Sequence, residues 1–130
     1  MNTTELRKNS PVRLLLIEDD VATSRVMARL LRGAGHDVTT AYSVGEALKI
    51  ASADFELVIS DIGLPDGSGL DLMRRLKREY GLSGIALSGF GADEDIARTR
   101  EAGFVNHLTK PIDFTRLEEA IQHVMETTSC

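Results

Sequence analysis

The stretch VRLLLIEDD, residues 12–20, carries the pattern that decides the fold. Its first six residues form an apolar run with one charged position, which is typical of a strand buried on both faces of a sheet. Acidic residues end the run, and the residues that follow place Val26, Met27, Leu30 and Leu31 at helical spacing. The stretch therefore predicts a buried strand followed by an amphipathic helix that buries these four apolar residues.

The same order of a short apolar run and a helix-length amphipathic stretch occurs five times from residue 12 onwards. The third and fourth runs have their apolar cores at residues 57–59 and 85–87, and Ser43 with Glu46 fits a capping box at the start of the second helix. Five alternating units predict an α/β fold, in which a parallel sheet carries helices on both faces and the crossovers are right-handed.

Composition places the chain among ordinary globular proteins. It has 130 residues, of which 42% are hydrophobic and 27% are charged, and a net charge of −5; this length suits a single domain. The acidic balance does not favour direct contact with nucleic acid or an anionic membrane. No apolar run approaches the ~20 residues of a membrane helix. A single cysteine, Cys130, leaves no internal disulfide, so a cytoplasmic location is expected.

The ends of the chain differ from its centre. Residues 1–11 are polar and have no periodicity, which predicts a flexible N-terminal tail or linker. The domain is expected to cover residues 12–127, and residues 128–130 form a short tail.

His36 follows a glycine in a turn and His123 lies beside a glutamine on the last helix, so both histidines are expected to be exposed.

Polar side chains follow four of the five predicted strands. Glu18 and Asp19 follow the first strand, Asp61 ends the third, Ser88 ends the fourth and Lys110 follows the fifth. Ligands of an open parallel sheet bind outside the C-terminal ends of its strands. We therefore expect these side chains to meet at one edge of the sheet.

Three carboxylates at one edge repel each other unless a cation neutralises them. Mg²⁺ prefers oxygen ligands and keeps some of its waters, so one or two carboxylates and a substrate phosphate are sufficient to hold it. An aspartate can attack phosphorus to form an acyl phosphate, while Lys110 and Ser88 can pair with phosphoryl oxygens. The set is consistent with an aspartyl-phosphate site.

Each of these residues also has an ordinary structural interpretation. Glu18, Asp19 and Asp20 can be acids at a helix N-terminus, Ser88 a strand-end hydroxyl, and Lys110 a solvated lysine. Nucleotide binding is poorly supported, because the chain has no Gly-Lys dipeptide for a P-loop and no complete three-glycine fingerprint.

Four segments together resemble the receiver domain of bacterial response regulators. They are residues 15–20 (LLIEDD), 57–65 (LVISDIGLP), 86–89 (ALSG) and 108–111 (LTKP). The resemblance implies a flavodoxin-like three-layer sandwich with a five-stranded parallel sheet of order 2-1-3-4-5 and five helices. Residues 103–113 are similar to the C-terminal receivers of hybrid sensor histidine kinases.

The resemblance also implies a role for each residue at the expected edge. Asp61 corresponds to the phosphoacceptor of a two-component phosphorelay. The implied ligands of Mg²⁺ or Mn²⁺ are Glu18, Asp19, Asp61 and the carbonyl of Gly63. Ser88, Gly89 and Lys110 are implied to surround the phosphoryl group. The resemblance also places His107 at the switch position of the fifth strand and a cis peptide bond before Pro111.

The implied partner is a histidine kinase or a histidine phosphotransfer protein, and a homodimer is compatible with the family. The chain is expected to promote its own phosphorylation and dephosphorylation without being an enzyme with a separate substrate. The implied signalling surface lies on the fourth helix, fifth strand and fifth helix and includes Ile96, Arg100, His107 and Glu118. A protein-interaction module of the same fold that works without phosphorylation is the alternative.

Overall fold

The computed structural model describes residues 11–89 and 93–128. The expected N-terminal tail, apart from Pro11, and most of the expected C-terminal tail, including Cys130, lie outside these ranges. The strands of the main sheet are β1 (Arg13–Ile17), β2 (Asp37–Ala41), β3 (Leu57–Asp61), β4 (Ser83–Ser88) and β5 (Phe104–Thr109). The helices are α1 (Val21–Gly33), α2 (Val44–Ile50), α3 (Gly69–Tyr80), α4 (Asp93–Ala102) and α5 (Phe114–Thr128). Two short strands, Gly63–Leu64 and Gly67–Ser68, pair in an antiparallel manner between β3 and α3.

The main strands lie in the order β2-β1-β3-β4-β5, and every neighbouring pair is parallel. The α/β class and the strand order expected from the sequence are therefore confirmed. Because all five strands run in the same direction, their C-terminal ends lie along one edge of the sheet. In the part of the chain that the structure describes, no helix has the length and apolar character needed to cross a bilayer.

The side chains of β1 point alternately into two hydrophobic cores. Leu14 and Leu16 belong to one cluster, Leu15 and Ile17 belong to the other, and all four are fully buried. The first cluster adds Met27, Leu31, Leu117, Ile121 and Val124 from α1 and α5, and the second adds Ala47, Leu72, Met73, Leu76 and Ala102 from α2, α3 and α4. The sheet is thus the middle of three layers, which gives its C-terminal edge a rigid base.

Helix α1 buries a narrower face than its sequence predicts. Met27 and Leu31 are buried, but Val26 and Leu30 are 58% and 43% exposed. Successive residues of a helix point about 100° apart, so a helix that packs on the sheet buries one member of each adjacent pair. The expectation that all four residues form the buried face is wrong, and two apolar side chains lie on the surface.

His36 is 4% exposed, so the expectation that it lies on the surface is wrong. The chain turns at Gly35, whose φ is 101°, and carries the imidazole inward. The backbone N–H of Val12 donates to Nδ1 at 3.0 Å, and Nε2 lies 2.9 Å from a carboxylate oxygen of Glu118. Because Nδ1 accepts a hydrogen bond, Nε2 carries the proton and donates it to Glu118. Glu118 of the last helix therefore packs on His36 and is partly buried.

Replacement of His36 by alanine is expected to lower the free energy of unfolding by about 2–3 kcal/mol, because the buried N–H of Val12 and the partly buried Glu118 lose their hydrogen bonds and a cavity forms. Urea denaturation followed by circular dichroism measures this loss. The matched control is His123→Ala, since His123 is exposed, and it should change the free energy of unfolding by less than about 0.5 kcal/mol. Equal effects of the two substitutions would show that the buried contact does not stabilise the fold.

Candidate functional site

The sheet register brings the predicted residues to one edge. Ile17 pairs with Ser60, and Ser88 pairs with Thr109. Glu18 directly follows β1, Asp61 is the last residue of β3, and Lys110 directly follows β5. The side chains of these three residues meet beyond the C-terminal ends of β1 and β3.

Three carboxylates form an acid cluster, which consists of Glu18, Asp19 and Asp61. One oxygen of each lies within 4.8 Å of the other two. Glu18 and Asp61 are 1% and 5% exposed, whereas Asp19 is exposed. Asp20 has a separate role, because its side chain caps α1 by accepting the backbone N–H of Thr23 at 3.1 Å. The cluster thus has two buried members and one that faces solvent.

Lys110 lies between the two buried carboxylates. Its Nζ is 2.9 Å from Oε1 of Glu18 and 2.9 Å from Oδ1 of Asp61. Its backbone N–H donates to the carbonyl of Ser88 at 2.7 Å, which fixes where the side chain begins, and the bond from Lys110 to Pro111 is cis. One ammonium group therefore neutralises only part of the charge of the acid cluster.

The two buried acids have opposite shifts in pKa. Burial, followed by a hydrogen bond and repulsion from Glu18, raises the pKa of Asp61 to about 7, although Lys110 opposes the shift. Burial also disfavours ionised Glu18, but hydrogen bonds from Asp61 and Lys110 hold the pKa of Glu18 below its usual value. Burial likewise opposes charge on Lys110, yet hydrogen bonds to Asp61 and Glu18 raise its pKa. In the absence of a metal, these shifts favour a proton on Asp61 over one on Glu18.

Without a metal, Asp61→Asn is expected to raise the free energy of unfolding by about 2 kcal/mol above pH 7, because one charge of a buried like-charged pair is removed. The pKa of Asp61 is about 7 in the folded protein and 3.8 in the unfolded reference. The wild-type carboxyl therefore stabilises the fold fully below pH 3.8 and loses that contribution as the pH rises to about 7. The advantage of the variant should accordingly vanish towards pH 3.8.

This pH dependence is measured by urea denaturation in a chelating buffer, with Asp54→Asn as the matched control because Asp54 is an exposed loop residue. A gain that is independent of pH, or equal in the two variants, would contradict the preference for a proton on Asp61.

The acid cluster fits a hard divalent cation. Mg²⁺ takes carboxylate oxygens and retains several waters, and the exposed Asp19 leaves one side of the cluster open to solvent. Gly63, the source of the fourth predicted ligand, lies in the first short strand two residues after Asp61. Glu18, Asp19 and Asp61 could therefore hold Mg²⁺ or Mn²⁺, which would compete with Lys110 for the buried oxygens.

Helix α3 begins directly against the strand that carries Asp61. The backbone N–H of Gly69 donates to the carbonyl of Ile62 at 2.6 Å. A Cβ added at Gly69 would lie 2.1 Å from the carbonyl oxygen of Asp61. This close approach of two backbones requires glycine, and it fixes the start of α3 beside the site.

Ser88 and His107 are in direct contact. Ser88 is 8% exposed at the end of β4, and its Oγ lies 2.9 Å from Nε2 of His107 on β5. His107 is half-buried and also lines a surface pocket. Gly89, the residue after Ser88, is exposed. A hydroxyl can donate to an anionic oxygen and accept from an imidazole N–H at the same time. The structure therefore links the hydroxyl at the end of β4 to the outside of β5.

Asp66, in the loop after β3, has a structural role that the sequence pattern does not reveal. Its carboxylate accepts the backbone N–H groups of Val44 at 2.8 Å and Gly45 at 2.9 Å. These hydrogen bonds hold the pKa of Asp66 below its usual value, and they tie the loop after β3 to the start of α2. An acid in a turn-rich loop predicts a cap, but the helix that it caps lies earlier in the chain.

A groove of about 410 Å³ between α1 and the segment after β5 opens beside Lys110. Its apolar lining includes Val26, Leu30, Ile112 and Phe114. The sequence pattern could not reveal this groove, because the pattern assigned Val26 and Leu30 to the buried face of α1. The groove places an exposed apolar surface next to the acid cluster.

Comparison with known proteins gives matches over most of the chain. A family model described as the response regulator receiver domain matches residues 14–122. The transcriptional regulatory protein ZraR of Salmonella typhimurium is 29% identical over 119 residues, which are 90% of this chain and 27% of ZraR. A 14.6 kDa protein in the sodA1 3′ region of Leptolyngbya boryana is 31% identical over 113 residues, which are 84% of this chain and 86% of that protein.

Solved structures show the same fold. A CheY-like response regulator receiver domain protein from Methanospirillum hungatei JF-1 superposes with a TM-score of 0.83 and 28% identity, covering 91% of this chain and 96% of that chain. A receiver domain protein from Clostridium thermocellum gives a TM-score of 0.83 at 27% identity and covers 91% and 97%. The chain spans about a quarter of the length of the transcriptional regulators that it matches.

Proposed function

The chain belongs to the family of response regulator receiver domains of two-component systems, and we propose on that basis that it accepts a phosphoryl group on Asp61. The observation that carries the proposal is the placement of Asp61, which is buried beside a second acid and 2.9 Å from the ammonium of Lys110. The proposed donor is a phosphohistidine of a histidine kinase or a histidine phosphotransfer protein. In this proposal the chain is a phosphoacceptor that promotes its own reaction, and not an enzyme with a separate substrate.

The proposed transfer forms a bond between a carboxylate oxygen of Asp61 and phosphorus and breaks the phosphorus–nitrogen bond of the donor. The donor imidazole leaves as a neutral ring, because its other nitrogen already carries a proton in the protonated phosphohistidine. When held by Glu18, Asp19 and Asp61, Mg²⁺ supplies positive charge that offsets the charge of the transferred group. Asp61 must be ionised to attack, since only the carboxylate form is a nucleophile, and a cation beside it would favour that form.

Two side chains of this proposed site then act on the phosphoryl oxygens. Lys110 contacts Oδ1 of Asp61, so a short movement brings its ammonium to a phosphoryl oxygen. Ser88 can donate its hydroxyl hydrogen to another oxygen. Charge neutralisation by prepositioned groups is the main contribution that a protein makes to phosphoryl transfer.

The groove beside Lys110 supports docking of the donor. Exposed apolar side chains at Val26 and Leu30 border one side, and Ile112 and Phe114 border the other. An amphipathic helix can place its apolar face in such a groove. A histidine on that helix would then face the acid cluster, which is the arrangement that direct transfer to Asp61 requires.

Intact mass spectrometry tests the proposed chemistry. The purified chain is incubated with acetyl phosphate or phosphoramidate, with Mg²⁺ or with a chelator, and is then weighed. We expect a Mg²⁺-dependent gain of one phosphoryl group, which hydroxylamine removes because acyl phosphates react with it. Absence of any gain in all of these conditions would overturn the proposal in favour of an interaction module that works without phosphorylation.

We also propose that the domain acts in the cytoplasm, in keeping with its single cysteine. Attachment to a hybrid sensor kinase and dimerisation on phosphorylation stay predictions. Light scattering before and after incubation with acetyl phosphate tests dimerisation directly, since a dimer doubles the scattering mass.

A further inference from the structure

We propose that Asp66 is a positioning residue for the metal site, because its carboxylate ties the loop that carries Gly63 to the start of α2. The carbonyl of Gly63 is the fourth predicted ligand of Mg²⁺, so its position affects how tightly the cation is held. The proposal rests on the proposed function, since it takes the acid cluster as the Mg²⁺ site. It gives a part in that site to an exposed side chain outside the acid cluster.

Asp66 lies at the tip of a short hairpin that begins two residues after Asp61. The hairpin consists of the two antiparallel short strands at residues 63–64 and 67–68, and Asp66 is the second residue of the connection between them. An isolated two-stranded hairpin is only marginally stable in water. Contacts with the rest of the protein must therefore hold it, and with it the backbone of Gly63.

The base of the hairpin is held by the backbone and by the core. The N–H of Gly69 donates to the carbonyl of Ile62 at 2.6 Å, and Ile62 and Leu64 pack against the hydrophobic cluster that contains Leu15 and Ile17. The tip has no such support from the core, because residues 65–67 are exposed. The hydrogen bonds of Asp66 are accordingly the polar anchor of the tip.

The carboxylate of Asp66 uses both of its oxygens in this anchor. Oδ1 accepts the N–H of Val44 at 2.8 Å, and Oδ2 accepts the N–H of Gly45 at 2.9 Å. These two N–H groups open α2 and have no partner within the helix. The next one, from Glu46, donates to Oγ of Ser43 at 3.1 Å. Two bonds to one carboxylate fix its orientation as well as its position.

The segment that receives Asp66 is itself attached to the edge of the sheet. Val44 follows the end of β2 by three residues, and the last residue of β2, Ala41, accepts the backbone N–H of Glu18 at 3.1 Å. A Cβ added at Gly67 would lie 3.3 Å from Cγ2 of Val44, so hairpin and helix are in close contact. Asp66 thus joins the loop of one predicted ligand to the strand end beside another.

Loss of this anchor is expected to weaken Mg²⁺ binding without changing the reaction of the bound site. In Asp66→Ala the dissociation constant of Mg²⁺, measured by isothermal titration calorimetry on the unphosphorylated chain, should rise about tenfold, as when a group that orients a metal ligand is removed. The Mg²⁺ concentration that half-saturates phosphorylation should rise by the same factor. The rate at saturating Mg²⁺ should change by less than about twofold, because Asp61 and Lys110 are intact.

Asp66→Asn separates the position of the loop from the charge of the side chain. Both substitutions remove one negative charge, but the single oxygen of the asparagine amide can keep one of the two N–H bonds. We expect the dissociation constant of Mg²⁺ to rise only about threefold in Asp66→Asn. An equal loss of affinity in the two variants would show that charge alone is responsible and would overturn the positioning role.

Ser43→Ala separates the position of the loop from the stability of α2. It removes the bond to the N–H of Glu46 and leaves the partners of Asp66 in place. It should lower the midpoint of thermal unfolding, as Asp66→Ala does, but the dissociation constant of Mg²⁺ should stay within about twofold of wild type. A tenfold weakening in Ser43→Ala as well would contradict the positioning role.

Failure of the proposed function is distinguishable, because Mg²⁺ binding is measured without a phosphoryl donor. If no phosphoryl group is gained but Mg²⁺ binding weakens in the order wild type, Asp66→Asn, Asp66→Ala, the positioning role stands and the phosphoacceptor role falls. An unchanged affinity for Mg²⁺ in Asp66→Ala would overturn the positioning role, as would a wild-type chain that binds no Mg²⁺.

Discussion

Phosphorylation by acetyl phosphate is expected to disappear completely in Asp61→Asn. The substitution keeps the shape of the side chain, but it replaces a carboxylate by an amide, which is a poor nucleophile. Glu18 cannot take over the reaction, because one of its oxygens is held by Lys110 at 2.9 Å and the other accepts the N–H of Asp20 at 3.0 Å. Intact mass spectrometry with Mg²⁺ present should therefore show one unmodified species.

The matched control for this loss is Asp54→Asn, which changes an exposed acid in the loop before β3 and should leave the gain of one phosphoryl group intact. A phosphoryl group that persists in Asp61→Asn would contradict the assignment of the acceptor. Peptide mapping of that product would then identify the side chain that carries it.

Lys110→Gln is expected to slow phosphorylation by about 100-fold, because a prepositioned charge that stabilises the transferred group is lost. The same substitution should strengthen Mg²⁺ binding, since Lys110 competes with a cation for Glu18 and Asp61 and its removal leaves their repulsion uncompensated. Time courses by mass spectrometry give the rate, and isothermal titration calorimetry gives the affinity for Mg²⁺.

The opposite direction of the two effects distinguishes a role in the reaction from a role in folding. If phosphorylation and Mg²⁺ affinity both fall, Lys110 serves mainly to hold the site together. Lys49→Gln is the matched control, because Lys49 is exposed on α2, and both measurements should remain at their wild-type values.

The sheet and the acid cluster could be predicted because both depend on local sequence. A buried strand is indicated by a short apolar run, and a parallel sheet places the residue after each run at the same edge. The location of Glu18, Asp61 and Lys110 at this edge could be predicted from the sequence alone, because each residue lies at the end of a predicted strand. Their ion pairs at 2.9 Å agree with the expectation that they meet.

Contacts between distant parts of the chain could not be predicted in this way. The partner of His36 is Glu118, which lies 82 positions later, and no local pattern indicates that a histidine in a turn becomes buried. Val26 and Leu30 fit the helical period, but the period does not reveal which side of a broad apolar face meets the sheet. The direct bond from Ser88 to His107 depends on side-chain conformations, which residue types alone do not specify.

The close approach at Gly69 has a mechanical consequence. The space between Gly69, the first residue of α3, and the carbonyl oxygen of Asp61 is too small for even one methyl group. The backbone at the end of β3 therefore cannot shift towards the helix on its own. A displacement of Asp61 in that direction would push α3 as a rod, and its far end at Tyr80 lies ~18 Å away along the axis for a helix of 12 residues. A movement of the end of β3 towards α3 is therefore expected to displace the whole helix with it.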